Sequence, residues 1–336
     1  MTVMHKGVTM PKFWRPQPSG MAFILSLLLA PVGLLYALIV TIRLALSRPK
    51  PTGSILICIG NAVVGGTGKT PVCLALGNHA KKEGINIHYL TRGYGGALEG
   101  PVLVDPNRHT ANDVGDEALL LATVAPTWVA KSRGDGAARA AAEGAELIVM
   151  DDGLQNPSVR KTYTLLVVDG SFGFGNGLPI PAGPLREFRG CALARSDRCL
   201  IVGEDRNSVV AGIEEKLPVS RLELRPVDDL SSLAGMNLVA FAGIGHPEKF
   251  FDTLRKAGLA VQETAGFSDH HVYNEAELAL LQRLAERHQA VLVTTTKDFV
   301  RLPDDFKAKV RTIEVEPCFT DGSDWATILD EAMTHG

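Results

Sequence analysis

The sequence predicts an α/β fold built on a mostly parallel sheet with helices on both faces. From residue 53 onward, short and continuously apolar runs alternate with helical patterns. Continuous apolar strands of this kind are typical of parallel sheets that are buried on both faces. The 336 residues suffice for about two domains. The strands predicted for the first domain are 54–60, 85–90, 127–130, 146–150, 164–169 and 199–202.

Helical patterns lie between several of these strands. One follows a glycine loop after residue 60 and ends near residue 84, and others cover 116–123, 133–143 and 208–217. A change in composition at 226–235 precedes a second alternation, which comprises strand 238–242, helices 247–257 and 274–287, and strand 290–294. We therefore expect an N-terminal segment (1–50), a larger domain (51–227) and a smaller C-terminal α/β domain (228–336).

Residues 170–190, with the sequence GSFGFGNGLPIPAGPLREFRG, interrupt the alternation. They are too rich in Gly and Pro for a helix or a strand. Because a long loop in a compact domain is usually functional, we expect this one to contribute to a site.

The N-terminal segment differs in charge from the rest of the chain. The whole chain has 34 Lys and Arg against 37 Asp and Glu, which gives a net charge of −3. Residues 1–50 contain six basic residues and no acidic one, so the remaining 286 residues carry a net charge of −9. A basic segment therefore precedes an acidic body.

Residues 22–41 of this segment are 20 residues without a charge. A helix of that length spans about 30 Å, the thickness of the apolar core of a bilayer. A cleaved signal peptide is disfavoured because no small-residue cleavage site follows, and soluble core helices are rarely apolar all round. We expect a membrane-associated helix, either spanning or, since Pro31 and Gly33 would kink it, lying in the interface. Three basic residues on each side leave the orientation open and suit an anionic membrane surface.

The overall composition excludes several classes of protein. With 46% hydrophobic and 21% charged residues, the chain is neither a disordered tail, a collagen-like repeat nor a uniformly basic nucleic-acid binder. Five scattered cysteines without a CxxC pair predict reduced core residues and a reducing compartment. Neither a nucleic-acid partner nor an obligate protein partner is indicated.

The strongest chemical signal is a glycine-rich loop between a predicted strand and a predicted helix. Backbone N–H groups of such a loop, together with the helix N-terminus, form a concave site for phosphate oxygens. The lysine would reach the β- and γ-phosphates of ATP, and the threonine after it would bind Mg²⁺. The strict pattern has Gly where Val63 stands, but the context disfavours a plain turn. The nucleotide-binding candidates are Gly65, Gly66, Thr67, Gly68, Lys69 and Thr70.

A second signal is the apolar run 146–150 followed by Asp151 and Asp152, which resembles a Walker B strand. In an open parallel sheet the carboxyl ends of the strands share one crevice with the phosphate loop. Paired carboxylates there can hold Mg²⁺ directly or through water. The metal candidates are therefore Thr70, Asp151 and Asp152, although strands also end in Asp-containing turns for structural reasons. Together the two signals predict a fold like that of the P-loop NTPases.

The phosphate loop alone does not name the reaction. A partition-type ATPase would have Lys where Val64 stands, and the sequence contains no NKxD-like guanine motif of a GTPase. These absences favour a kinase. A membrane-tethered P-loop ATPase or GTPase switch stays open as the alternative, as does a structural protein with a vestigial loop.

A set of short motifs follows in order over nearly the whole chain. It comprises GN at 60–61, GGTGKTP at 65–71, RGYG at 92–95, VGDE at 114–117, DDGLQ at 151–155, PAGPLRE at 181–187, FAGI at 241–244, DHH at 269–271 and TTKD at 295–298. In this combination of motifs the chain resembles the tetraacyldisaccharide 4′-kinases of lipid A biosynthesis.

This resemblance implies a lipid kinase on the cytoplasmic face of the inner membrane, held there peripherally or by a single N-terminal anchor. It would move the γ-phosphate of ATP, with Mg²⁺, to the 4′-hydroxyl of a tetraacylated glucosamine disaccharide 1-phosphate. The resemblance also implies an active site between the two domains.

Several residues receive roles through the resemblance. Asp116 would be the catalytic base, with Glu117 a weaker neighbour; from the pattern alone Asp116 could equally be an acidic residue at a helix start. His270 would pair with that base, whereas a DHH string alone is more often a surface turn, and no further Cys or His suggests zinc.

Further candidates have less defined roles. Gln155 and Glu187 follow the family pattern near the metal and nucleotide. Arg133 and Arg186 could clamp phosphates or be solvated surface charges, and the same applies to Arg92. The segment 295–298 is a plausible helix cap.

Overall fold

The computed structural model describes residues 10–206, 208–227 and 230–335. Residues 1–9 of the expected N-terminal segment, and residues 228 and 229 at the expected domain boundary, lie outside the described part. The chain forms two compact units. The larger contains residues 10–223 and 317–335, and the smaller contains residues 224–316.

A nine-stranded sheet forms the larger unit's centre, in the order β13-β8-β7-β6-β1-β5-β2-β4-β3. The strands from β8 to β4 in this order pair in parallel, and only β3 is antiparallel to its neighbour β4 among the pairs with a described register. The strands are β1 Ile55–Gly60, β2 Ile87–Thr91, β3 Val102–Leu103, β4 Thr127–Val129, β5 Leu147–Asp151, β6 Tyr163–Asp169, β7 Arg198–Val202, β8 Val219–Pro226 and β13 Val315–Phe319.

The five strands β2, β4, β5, β6 and β7 are buried along their whole length, as continuous apolar runs require. Helices connect and cover the sheet, so the predicted fold class is confirmed. The helices of this unit are α1 Met21–Ala45, α2 Lys69–Lys82, α3 Ala111–Val114, α4 Asp116–Ala122, α5 Arg133–Ala142, α6 Arg189–Ala194 and α11 Trp325–Thr334.

Helix α1 has one narrow buried face. Ser26, Gly33, Ala37 and Val40 are buried, whereas most of its large apolar side chains are exposed. The helix runs without a break through Pro31. It has 25 residues and, within the described residues, is the one helix long and apolar enough to cross a membrane. An anchor at this place in the chain is therefore consistent with the structure.

The smaller unit is built on a four-stranded parallel sheet in the order β10-β9-β11-β12. Its core contains Phe241, Phe251 and Leu281. The strands are β9 Asn237–Ala242, β10 Ala260–Gly266, β11 Ala290–Thr295 and β12 Val310–Ile313. The helices are α7 Pro247–Lys256, α8 Glu275–His288, α9 Thr296–Phe299 and α10 Asp304–Lys307.

The C-terminal residues 317–335 pack with the larger unit, although the sequence placed them in the smaller domain. The Glu331 carboxylate on α11 accepts hydrogen bonds from the Tyr163 hydroxyl and the Arg198 guanidinium, which belong to β6 and β7. These hydrogen bonds hold α11 against the nine-stranded sheet.

The predicted helix at 208–217 is wrong. Only a 3₁₀ turn at Val210–Gly212 forms there. The Asp205 carboxylate accepts the backbone N–H groups of Val209 and Val210 and so stabilises a short turn instead. The apolar side chains of the segment, including Ile213 and Leu217, are still buried in the core. The apolar pattern of this segment therefore predicted correctly that its side chains are buried, but it predicted the wrong backbone conformation.

Candidate active site

The phosphate loop follows β1 and leads directly into α2. Gly65 and Gly68 have positive φ angles of 107° and 87°, which favour glycine. Gly68 is the N-cap of α2 and, having no side chain, makes no capping hydrogen bond there. The first N–H groups of α2 thus face the loop without a side-chain acceptor, the arrangement that binds phosphate oxygens. The residues present fit a nucleotide phosphate chain.

Val63, which stands where the strict motif has Gly, pairs with the 170–190 loop. Its backbone forms an antiparallel bridge to Leu185, and the side chain is 3% exposed. The Val64 N–H donates to the Pro184 carbonyl at 2.9 Å. The loop's first residues are therefore held by a neighbouring segment.

Asp152 lies between two basic side chains of the site. The Arg186 Nη1 donates to both of its carboxylate oxygens at 2.9 and 3.0 Å, and the Lys69 Nζ lies 3.6 Å from Oδ1. Burial alone would raise the pKa of Asp152, but Lys69, Arg186 and Arg133 together hold it below the usual value. Its φ of 50° places it in the left-handed region. The structure thus brings Lys69, Asp152 and Arg186 together, as a charged cluster beside the phosphate loop.

Asp151 occupies a different environment, although it is the adjacent residue. It ends β5 opposite Ile59 of β1 and is 1% exposed. Burial, and next the charge of Glu117, raise its pKa to about 7, against the opposing effect of Lys69. Its Oδ1 atom has no hydrogen-bond partner.

This unpartnered buried oxygen fits a Mg²⁺ site. A cation would satisfy Oδ1 and offset the repulsion between Asp151 and Glu117. No group of three or more His, Cys, Asp and Glu suited to a metal occurs among the described residues. The protein would therefore supply few ligands, and phosphate oxygens and water would complete the shell, as is usual for Mg²⁺. Thr70 lies in the first turn of α2.

Arg133 is buried rather than a solvated surface charge. It is 4% exposed, and its Nε has no partner, while Nη1 donates to the Ala130 carbonyl. Burial and the charge of Arg92 lower its pKa to about 10, with Asp152 opposing. Arg92, Arg133 and Asp152 thus influence one another, as expected of groups at one end of a sheet.

Gln155 and Glu187 form a buried network beside the loop. Glu187 is fully buried and accepts from the Gln155 Nε2 at 2.9 Å and the Arg195 Nη2 at 2.6 Å. Gln155 Nε2 also donates to the Asn61 carbonyl at the end of β1. Both residues therefore fix the strand end from which the phosphate loop starts.

Asp116 is the first residue of α4 and is 4% exposed. Gly115 before it has a φ of 85°, and a Cβ there would lie 2.5 Å from the Tyr94 carbonyl. The close approach of the RGYG and VGDE motifs thus explains glycine at this position. Glu117, next along α4, is the neighbour whose charge acts on Asp151.

The two histidines of the DHH motif differ in their surroundings. His271 Nε2 lies 2.8 Å from Glu277 Oε2, and its ring stacks on Phe267, so it is a packing residue. His270 has a φ of 57°, and its Nδ1 and Nε2 lie 3.4 Å from Arg301 Nη2 and 3.5 Å from Lys297 Nζ.

Asp298 connects the FAGI and TTKD motifs with Tyr273, which lies two residues after the DHH motif. It is fully buried and accepts the Gly243 N–H and the Tyr273 hydroxyl, both at 2.8 Å, on Oδ1. The Thr295 hydroxyl donates to Oδ2 at 2.7 Å and accepts the Asp298 N–H, which caps α9. The helix cap suggested for 295–298 is present and belongs to this carboxylate-centred cluster.

The chain is similar to proteins of known activity over almost its whole length. The family model described as tetraacyldisaccharide-1-P 4′-kinase matches residues 25–334. The chain belongs to the tetraacyldisaccharide 4′-kinase family. The family expected from the motifs is therefore confirmed, and the chain is a kinase.

Curated members of this kinase family are similar in length as well as in sequence. The tetraacyldisaccharide 4′-kinase of Rhodospirillum centenum is 47% identical over 91% of this chain and 91% of its own. The tetraacyldisaccharide 4′-kinase of Rhodospirillum rubrum is 44% identical over 96% of this chain and 97% of its own. A crystal structure of LpxK from Aquifex aeolicus in complex with ATP has a TM-score of 0.71 and 21% identity, covering 92% of this chain and 98% of that one. That likeness shows the fold.

One residue beside the phosphate loop was named in the sequence only as part of the GN motif and received no role there. Asn61 is fully buried at the end of β1, donates to the Gly65 carbonyl at 3.3 Å and keeps an unpartnered Oδ1. A polar residue directly after a continuous apolar strand, and directly before the phosphate loop, was the available signal. Glu117, which the sequence suggested only as a second base, was not recognised as the neighbour of Asp151.

Proposed function

We propose that this chain transfers the γ-phosphate of ATP to the 4′-hydroxyl of a tetraacylated glucosamine disaccharide 1-phosphate. The observation that carries this proposal is the cluster of Lys69, Asp152 and Arg186 beside the phosphate loop, in a chain of the tetraacyldisaccharide 4′-kinase family. Such a cluster can neutralise phosphate charge as it develops in the transition state.

In the proposed reaction the 4′-hydroxyl oxygen attacks the γ-phosphorus. The bond to the β,γ-bridging oxygen breaks, ADP leaves with the electron pair, and the hydroxyl proton goes to the carboxylate of Asp116. Lys69 binds the β- and γ-phosphates, and the backbone N–H groups of residues 65–70 hold the phosphate chain. Arg186 and Arg133 stabilise the phosphate charges, since a guanidinium fork suits that geometry.

Thr70 and Asp151, with Asp152 or Glu117 through water, would hold Mg²⁺. When bound, the cation would supply positive charge that offsets the negative charge of the phosphates. The raised pKa of Asp151 supports this role, because binding of a cation at its free oxygen would restore the charged form.

His270 is proposed to tune the proton affinity of the base, and no other group in the smaller unit is assigned a catalytic role. The enzyme is proposed to work on the cytoplasmic face of the inner membrane. Two points support that location: the proposed phosphate donor is ATP, which is found in the cytoplasm, and α1 exposes a long apolar surface.

The test uses purified full-length protein in detergent micelles with Mg-ATP and the disaccharide 1-phosphate. We expect a labelled 4′-phosphate product and almost no ATP hydrolysis without the acceptor. A membrane-tethered nucleotide switch would instead hydrolyse ATP or GTP without any lipid. Absence of product from folded protein would refute the proposal.

A further inference from the structure

The segment before α1 contacts the phosphate loop and the 170–190 loop. The methyl group of Met10 lies against Gly65, at the position a Cβ would occupy. The Trp14 Nε1 donates to the Pro181 carbonyl at 2.9 Å, and the Trp14 carbonyl accepts the Asn176 N–H at 3.0 Å. This segment is therefore built into the larger unit next to the nucleotide site.

Helix α1 itself is seated on the same loop. A Cβ at Gly33 would lie 2.5 Å from the Pro179 carbonyl and 3.4 Å from the Ala182 Cβ, so glycine permits the close approach. Further along the helix, the Thr41 hydroxyl donates to the Cys191 Sγ at 3.9 Å. The exposed apolar side chains lie around the rest of the helix. One face of α1 therefore packs against the rest of the protein, and its other faces are exposed.

The far end of this loop holds the groups that act on phosphate. Pro184 accepts the Val64 N–H, the Arg186 N–H donates to the Ala62 carbonyl at 2.8 Å, and the Arg186 side chain binds Asp152. At its C-terminal end α1 makes a second connection, because the Arg43 Nη2 donates to the Gln155 carbonyl at 3.1 Å. Both segments that flank the phosphate loop are therefore bonded to the N-terminal region.

We propose that residues 10–45 position the nucleotide site. In this proposal α1 supports ATP binding as well as anchoring the chain to the membrane. The positioning residues are Trp14, Gly33 and Arg43, which act through the 176–186 segment and Gln155 on the phosphate loop and Arg186. The inference rests on the proposed function for its catalytic consequence. Its consequence for ATP binding is independent of the acceptor.

The main test compares Gly33→Val with Leu35→Val in the full-length protein in detergent micelles. Both place valine in the same helix, but Leu35 is 58% exposed whereas Gly33 faces Pro179. We expect Gly33→Val to weaken ATP binding, measured calorimetrically without acceptor, by about fivefold or more, and to lower kcat/KM for ATP by about tenfold. Leu35→Val should match the wild type. Co-sedimentation with anionic vesicles and the KM for the acceptor should be the same in both variants.

Equal ATP affinity in the two variants would overturn the proposal, because α1 would then be an anchor alone. If Gly33→Val does not fold, Trp14→Phe decides, since it removes the indole N–H donated to Pro181 and keeps a smaller aromatic ring. Its control is Tyr36→Phe on the exposed side of α1. A roughly twofold or larger loss of ATP affinity in Trp14→Phe alone supports the proposal, and no loss refutes it. Failure of the wild type to phosphorylate the acceptor would refute the proposed function, and the ATP-binding comparison would still stand.

Discussion

Replacement of Asp151 by Asn should stabilise the metal-free protein while it impairs phosphoryl transfer. The carboxyl is fully buried beside Glu117, and its pKa is raised from 3.8 to about 7. Above pH 7 the group is ionised in both the folded and the unfolded state, so the folded state bears the whole cost of that buried charge. About three pH units at about 1.4 kcal/mol each give a ceiling of about 4 kcal/mol.

This cost depends on pH in a defined direction. Below about pH 4 the carboxyl is protonated in both states and the cost is absent, and it grows as the pH rises towards 7. Asn carries no charge, so the Asp151→Asn protein does not bear the cost of a buried charge. In EDTA at pH 8 we therefore expect Asp151→Asn to raise the Tm by on the order of 5–10 °C, and to lose most of this advantage at pH 4.

The neighbouring substitution Asp152→Asn is the matched control, and it should change the stability of the protein in the opposite direction. Lys69 and Arg186 lower the pKa of Asp152, so its loss should destabilise the protein at pH 8. Thermal unfolding of the three proteins in EDTA, followed by circular dichroism, measures both effects. Added Mg²⁺ should stabilise the wild type more than Asp151→Asn. If Asp151→Asn were no more stable than the wild type at pH 8, the reasoning about this buried charge would be refuted.

Four further substitutions test the proposed roles. Lys69→Ala should lower kcat by roughly 100-fold or more and weaken ATP binding, and steady-state kinetics that leave both unchanged would remove it from the phosphate site. Asp116→Asn should reduce kcat with little change in the Kd for ATP, whereas near-normal turnover would transfer the role of base to Glu117. His270→Ala should produce a smaller loss of kcat that varies with pH and leaves the Tm unchanged. His271→Ala, which breaks the contact with Glu277, should instead lower the Tm, and the reverse pattern would contradict the distinction between the two histidines.

The sheet was predictable because its strands are continuously apolar and its loops are marked by glycine. Strands β1, β2, β5 and β6 begin and end within two residues of their predicted limits. Strand β8 was missed because its buried and exposed residues alternate, and residues near its end have the composition of a linker. Local pattern also could not place residues 317–335, since the contacts of Glu331 with Tyr163 and Arg198 join positions more than 130 residues apart.

The sequence suggested candidate site residues but not the electrostatic environment of each one. The adjacent residues Asp151 and Asp152 look equivalent in the sequence, yet one is buried beside an acidic group and the other is paired with two basic groups. Which of two neighbouring carboxylates faces inward follows from the pleat and from the φ of Asp152, and the approach of Glu117 depends on the packing of α4. Neither the inward-facing carboxylate nor the approach of Glu117 can be predicted from the spacing of these residues in the sequence.

The buried carboxylate of Asp298 has a consequence for the interpretation of mutants. The motifs at 241–244 and 295–298, and Tyr273 just after the motif at 269–271, form hydrogen bonds around this one side chain, and these bonds hold this part of the fold together. A loss of activity after mutation in any of these stretches would have the same appearance as loss of a catalytic group. In this unit, therefore, a measured defect is informative about mechanism only when the mutant's stability has been measured beside it.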